Sequence, residues 1–395
     1  MSKAYIAAAA MTPFGRWPDQ SAASLGRAAV LSLLQASGTE PKSIQAVYVG
    51  RSFAGAIDHQ VSVPGQVALR GTGIEDLPVF NFDNACAAVP SALHVAVGAV
   101  RSGQFDQVLV IGMDKLFAPE RRRSMEALIG AMDVDEMGWM LESDAVNGSV
   151  FMETYYGRIA REYLTTTGAT AADLAKVAVK NRAHAALNPL AQYRNPVSEA
   201  EVLGSPVICD PLTKLMCSPL TDGAVAMLVV SERLARRTAS ALRPVQVLSS
   251  VVRSGAPQAP SSTALQRAAG QAYQEAGVGP EDLDLAEVHE ASAVGELIAT
   301  EEIGLAAAGD GAKLVRNGGS QLGGATPVNT SGGLLSRGHP GAATGGAQLV
   351  ELVWQLQGSC GKRQVDGARI GLAHSSGGLI GNEPACTGVT ILSAT

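Results

Sequence analysis

The feature that most constrains this chain is a pattern that occurs twice. Leu33–Val49 reads LLQASGTEPKSIQAVYV, and Ala272–Val288 reads AYQEAGVGPEDLDLAEV. In each, a helical run stops at a glycine (Gly38, Gly277), a proline follows (Pro41, Pro280), and an apolar run ends at a valine (Val49, Val288), all without a gap in register. Glycine just past a helix releases the backbone into the left-handed region, and proline then cannot resume the helix. The likeness continues. A small-residue helix over Cys86–Val100 leads into a strand at Val108–Gly112, and a glycine-rich loop and helix over Gly338–Leu356 lead into a strand at Ala368–Ala373. Helices alternating with apolar strands predict an α/β chain with parallel sheets and helices on their faces. Two copies predict two similar halves packed together, residues 1–250 and 251–395. A stretch over 117–220, richer in charge and methionine, reads as an insertion into the first half that covers the site. It contains Arg121-Arg122-Arg123, a run that reads as a solvated helix face, and helices at Glu153–Leu164 and Ala171–Ala186.

The chain has 395 residues, of which 46% are apolar and 17% charged, enough to bury a large core and to exclude disorder. Its 44 glycines against 4% aromatics leave much of the packing to small side chains. A net charge of −6 argues against a nucleic-acid partner. The five cysteines (86, 209, 217, 360 and 386) form no CxxC pair, so no metal or redox motif is signalled, and their sparse odd number fits a reducing, cytoplasmic setting. The apolar run Ala4–Met11 is too short for a signal peptide and leads into Thr12-Pro13-Phe14-Gly15-Arg16, a turn after a strand. No run approaches membrane-spanning length.

In such folds chemistry collects where strands end and helices begin. Cys86, His289, His339 and His374 all fall there. Cys86 sits in NFDNACAAVPSALHVAVGAV, at the start of a helix whose dipole and free amides favour thiolate and can hold an oxyanion on its acyl adduct. The alternative is an inert buried cysteine. His339, in NTSGGLLSRGHPGAATGG, stands on a glycine-bracketed turn before a helix. That loop lacks the lysine and hydroxyl of a phosphate loop. His339 could take the proton of a thiol, or be structural. His289, in AEVHEAS, could polarise a substrate carbonyl or pair with Glu290. His374 and Ser375-Ser376-Gly377-Gly378 follow a strong strand and could add backbone donors.

Together these segments resemble the thiolase family nearly end to end. AMTPFGR is similar to the family's first strand and turn, Cys86 to its acylated cysteine, and GGLLSRGHPGAATG to its histidine loop. SPLTDGAVAMLVVSE resembles the segment that returns from the insertion. HEAS occupies the place of an Asn-Glu-Ala-Phe segment, with histidine there as in sterol-carrier-protein thiolases and their bacterial relatives; GGLIGNEPACTGVTIL resembles that bacterial branch too. The resemblance implies the thiolase fold: two duplicated α/β halves in a layered αβαβα core with an inserted loop domain. It implies a CoA-dependent acyltransferase that cleaves 3-ketoacyl-CoA or condenses acyl-CoAs through acyl-Cys86. His339 would be the base, His289 would hold the enolate or thioester oxygen, and amides of Cys86 and the Ser375 region would hold the oxyanion. Ser218 and Met152 would line the pantetheine channel. CoA and acyl-CoA would be substrates, with no permanently bound cofactor, no metal and no membrane partner, in a homodimer or homotetramer.

One departure stands out. Thiolases carry a second cysteine as proton shuttle, and its two usual places here read Ala291 and Ala373. Cys386 is a substitute candidate, with packing inside the last strand as the alternative; His374 or a water could also serve. The missing cysteine leaves open C-acyl transfer to a non-CoA acceptor. A thiolase-like binding or partner subunit with low turnover is the remaining rival.

Overall fold

Both copies of the repeat are capped as their residues require. Helix α1 follows strand β1 (Ala4–Met11) and spans Ala22–Ser37. It starts at Ser21, whose hydroxyl accepts from Ser24 N, and ends at Gly38 with φ 66°. Its counterpart, at Ala264–Ala276, starts at a Thr263–Gln266 capping box and ends at Gly277 with φ 70°. Pro41 and Pro280 each then open a short 3₁₀ turn. The computed structural model describes residues 2–138, 152–237, 243–256 and 262–395.

After α1 the first half continues with β2 (Ala46–Gly50), β3 (Val79–Phe82), α2 (Ala88–Arg101) and β4 (Gln107–Lys115). The insertion follows, with α3 (Arg158–Thr167) and α4 (Ala171–Ala186), and then β5 (Asp222–Ser231). The second half runs β6 (Val245–Ser254), α5 (Ala264–Ala276), β7 (Leu285–Glu287), α6 (Ala293–Glu302), α7 (Ala343–Leu356), β8 (Ile370–Ile380) and β9 (Glu383–Ser393).

The nine strands lie in the order β3-β2-β4-β5-β1-β6-β9-β8-β7. Within it the duplication is explicit. In the first half β2 runs parallel to β4, which is antiparallel to β5, which is antiparallel to β1. In the second, β7 runs parallel to β8, which is antiparallel to β9, which is antiparallel to β6. The halves meet where three residues of β1 pair with β6. The counterpart of β3 is reduced to one bridge, Ala286 to Val328. The sheets are therefore mixed, not parallel as the alternation suggested. β8 and β9 are joined by a turn at Gly381-Asn382, and so short a connection permits only antiparallel pairing.

Helices α2 and α7 lie between the halves. Each packs on its own half's strands and on those of the other, and the two touch each other. Only small residues permit this: a β-carbon at Gly346 would overlap Val225, and one at Gly388 would overlap Pro90. The layered core thus carries both helix N-termini to one place. The insertion has its own apolar cluster, which takes in Val294 and Leu297 of α6 and Leu335 of the His339 loop. Its expected first helix is a π turn over Glu153–Gly157 that runs into α3, whereas α4 has the expected bounds. In the arginine run, Arg122 pairs with Glu126 at 2.7 Å on an exposed face.

Candidate active site

Cys86 lies in the turn that opens α2. Ala85 before it adopts φ 47°, and the amides of Ala87 and Ala88 bond back to the carbonyls of Asn84 and Ala85. This tight turn presents the thiol to a cavity of about 330 Å³. Gly377 of β8 passes directly above it; a β-carbon there would lie 2.8 Å from Cys86 N. Backbone of the second half therefore packs against the backbone turn that carries the thiol.

His339 comes from the loop that opens α7. Its Nε2 is 3.6 Å from Cys86 Sγ, and its Nδ1 is 2.8 Å from Thr344 Oγ1. Its amide donates to Thr221 Oγ1 at 3.0 Å. The loop is anchored through Asp114, at the end of β4. Asp114 accepts the amides of Ala342 at 2.8 Å, Ala54 at 2.7 Å, Lys115 at 3.0 Å and Phe53 at 3.2 Å. Gly341 is required there, since a β-carbon would overlap both Phe53 and Asp114. Burial raises the Asp114 carboxyl to about 7, even with four amides favouring its charge.

His289 follows β7. Its ring meets that of His339 edge-on, with centroids 5.1 Å apart, and its Nδ1 is 3.4 Å from Ser375 Oγ. Ser375 Oγ also donates to the Cys86 carbonyl at 3.0 Å. The alternative pairing with Glu290 does not form: that carboxyl turns away to accept from Asn181 Nδ2 of the insertion at 3.2 Å and from Leu335 N of the His339 loop at 3.3 Å. His374 stands beside His289, its Nδ1 accepting the His289 amide at 3.4 Å and its Nε2 lying 2.8 Å from Ser376 Oγ.

Charge is scarce here for one reason. Burial lowers His289 and His374 to about 3, and Arg337 adds to the effect on His289. Burial, His289 and Arg337 hold His339 well below the usual imidazole range. Burial, with Asp114 second, pushes the Cys86 thiol well above its ordinary value. The helix N-terminus does not make a resting thiolate, because desolvation outweighs it. What faces the cavity is a neutral thiol beside a neutral base, an arrangement that ionises only by passing a proton between them.

Other expected residues lie elsewhere. The Cys386 thiol faces Ser91 Oγ at 3.8 Å and is not among the described residues lining the cavity. Neither are Ser218, whose amide donates to Ala291 O at 3.0 Å, nor Met152, which packs on the insertion's apolar cluster. The sequence pattern did not point to Thr344, Asp114 or Thr221, which orient His339 from three separate segments. It also gave no metal signal, yet Cys86, His289 and His339 bring one sulfur and two ring nitrogens within 4.8 Å of one another, a donor set suited to zinc.

Family models match both parts of the chain: "Thiolase, N-terminal domain" over residues 4–233 and "Thiolase C-terminal domain-like" over 250–393. The chain is 36% identical to the benzoylsuccinyl-CoA thiolase subunit BbsB of Thauera aromatica, over 95% of each chain. It is 35% identical to an acetyl-CoA acetyltransferase of Methanothermobacter thermautotrophicus, over 94% of this chain and 95% of that one. With sterol carrier protein 2 of Bos taurus it shares 32% identity over 80% of its own length and 60% of the other's. Among solved structures, an Ltp2–ChsH2(DUF35) aldolase superposes with a TM-score of 0.80 at 25% identity, covering 99% of this chain and 98% of that one.

Proposed function

This chain belongs to the thiolase family and is a CoA-dependent acyltransferase, and from that premise we propose that Cys86 carries the acyl group while His339 and His289 serve it. The observation that carries the reading is the 3.6 Å approach of His339 Nε2 to Cys86 Sγ, with Nδ1 held by Thr344. A proton on Nδ1, donated to Thr344, leaves the Nε2 lone pair facing the thiol.

As a 3-oxoacyl-CoA enters, the Cys86 proton passes to His339 Nε2 and the sulfur attacks the 3-oxo carbon. The new oxyanion is met by backbone amides of Cys86 and of the Ser375–Gly377 strand. The bond between the 2- and 3-carbons then breaks. Its electron pair goes to the acetyl-CoA enolate, whose oxygen lies against His289, and the acyl group stays on sulfur. The His374–Ser376 pair, which borders the cavity where Cys386 does not, returns a proton to the enolate carbon. The pair then recovers a proton from the CoA thiol, whose sulfur takes the acyl group from Cys86, and the departing Cys86 thiolate regains its proton from His339. Run backwards, the same steps condense two acyl-CoAs.

We assign the protein to the cytoplasm and to a homo-oligomer, in which the free edge of β3, with Phe80 exposed beside it, would pair with a second copy. The test of the central reading is direct. Incubation with acetyl-CoA should add one acetyl group at Cys86, read by mass spectrometry, and Cys86→Ala should abolish it. Folded protein that takes no adduct would favour a partner-subunit role, such as the word "subunit" in the Thauera relative's name suggests.

A further inference from the structure

The cavity that receives the Cys86 thiol is longer than the catalytic cluster needs. One wall is α6, which presents Val294, Ile298 and Glu302 at four-residue spacing. At a rise of about 1.5 Å per residue, Glu302 stands about 12 Å along the axis from Val294. His289 precedes the N-terminal end of α6 and Glu302 is its last residue, so the two mark opposite ends of the passage. Met132, Tyr156, Ile159 and Leu379 make other parts of its wall apolar.

The Glu302 end is polar. Thr263 and Tyr155 stand with Glu302, and the nearby Thr263 hydroxyl favours the charged form of its carboxyl. Neighbouring acids are fully engaged: Glu301 accepts from Tyr163 Oη and the amides of Gly309 and Gly311, and Glu383 pairs with Arg267 at 3.1 Å and accepts the Ala256 amide. Glu302 has no ion pair among the described residues. Burial raises its carboxyl to about 7, so near neutrality it exists in both accepting and donating forms. A carboxyl that closes an apolar passage is costly to desolvate unless the ligand offers it a polar group.

Resting on the acyl-Cys86 reading, we propose that the acyl group lies along α6 and that Glu302 bonds a hydroxyl at its far end, so that the substrate class is a hydroxyl-bearing 3-oxoacyl-CoA long enough to span the passage. A hydroxyl is the group that either form of the carboxyl can satisfy.

The test uses a homologous series of unbranched 3-oxoacyl-CoAs, each with a terminal methyl and a terminal hydroxyl version, and follows the rate of Cys86 acylation by intact mass. At the chain length that reaches Glu302, the wild type should favour the hydroxyl version by about tenfold, the ratio that one net hydrogen bond supplies. Shorter pairs should show no preference. Glu302→Leu should reverse the ratio, and Glu302→Gln, which still bonds a hydroxyl, should keep it. Each ratio is taken within one variant, so a general loss of folded protein cancels. Equal rates in the wild type at every length, or a hydroxyl preference that survives Glu302→Leu, would overturn the inference while leaving acyl transfer intact. A wild type that forms no Cys86 adduct with any of the series would overturn the acyl-Cys86 reading and this inference with it.

Discussion

Thr344→Val isolates the orienting bond of His339. Thr344 is fully buried and its hydroxyl lies 2.8 Å from Nδ1, so valine keeps much of the shape and removes the acceptor. A buried N–H left without a partner costs about 1–3 kcal/mol. The penalty is greatest when the ring is charged, because the imidazolium carries a proton on both nitrogens. Forming that imidazolium is the step that frees the Cys86 thiolate. At 1.4 kcal/mol per tenfold, Cys86 acylation by acetyl-CoA should therefore slow by about 5- to 150-fold. Rapid-quench intact mass measures it, and Thr344→Ser should restore most of the rate. The pH profile carries a second check. His339 is held well below its ordinary value, so the base stays neutral as pH falls through the usual imidazole range. Acylation in the wild type should show no loss there from protonation of the base. A valine variant that acylates at the wild-type rate, or a serine variant as slow as valine, would refute the orienting role.

Two further outcomes follow from the same cluster. Zinc should bind stoichiometrically across Cys86, His289 and His339 and inhibit acyl transfer, reversibly on adding EDTA; calorimetry that finds equal zinc binding to Cys86→Ala would exclude this site. Cys386→Ala should leave thiolysis near the wild-type rate, since its thiol faces Ser91. His374→Ala, by contrast, should slow exchange of the α-protons of acetyl-CoA with D₂O by about 10²-fold or more. The reverse pattern would return the proton shuttle to Cys386.

Much of the architecture was legible because it was written twice. Gly38 and Gly277, with Pro41 and Pro280, mark chain positions where only certain backbones are possible, and such signals are local. The residues that aim the chemistry are not local. Asp114 reads as one more strand residue in QVLVIGMDK, and only the folded chain shows its carboxylate gathering amides from Phe53, Ala54 and Ala342. Mixed strand direction was hidden for a similar reason: it depends on which strands pair, and only the folded chain shows the short turn laying β9 antiparallel against β8. Cys386 lies close to the glycine run along the chain, but side-chain direction alternates along a strand and sends its thiol to Ser91. Glu302 could have been found. Val294, Ile298 and Glu302 form a stripe at helical spacing immediately after His289, and an acid that ends an apolar stripe is a visible anomaly.

The buried pair α2 and α7 has a consequence for how such a site could arise. The thiol stands at the head of one central helix and the imidazole at the head of its twin. Two identical halves associating as separate chains would hold either two thiols or two imidazoles at these places. Once the two copies are parts of one chain, one can keep a nucleophile while the other keeps a base. The broken symmetry at Cys86 and His339 is therefore something that a single continuous gene permits and a pair of equal subunits does not.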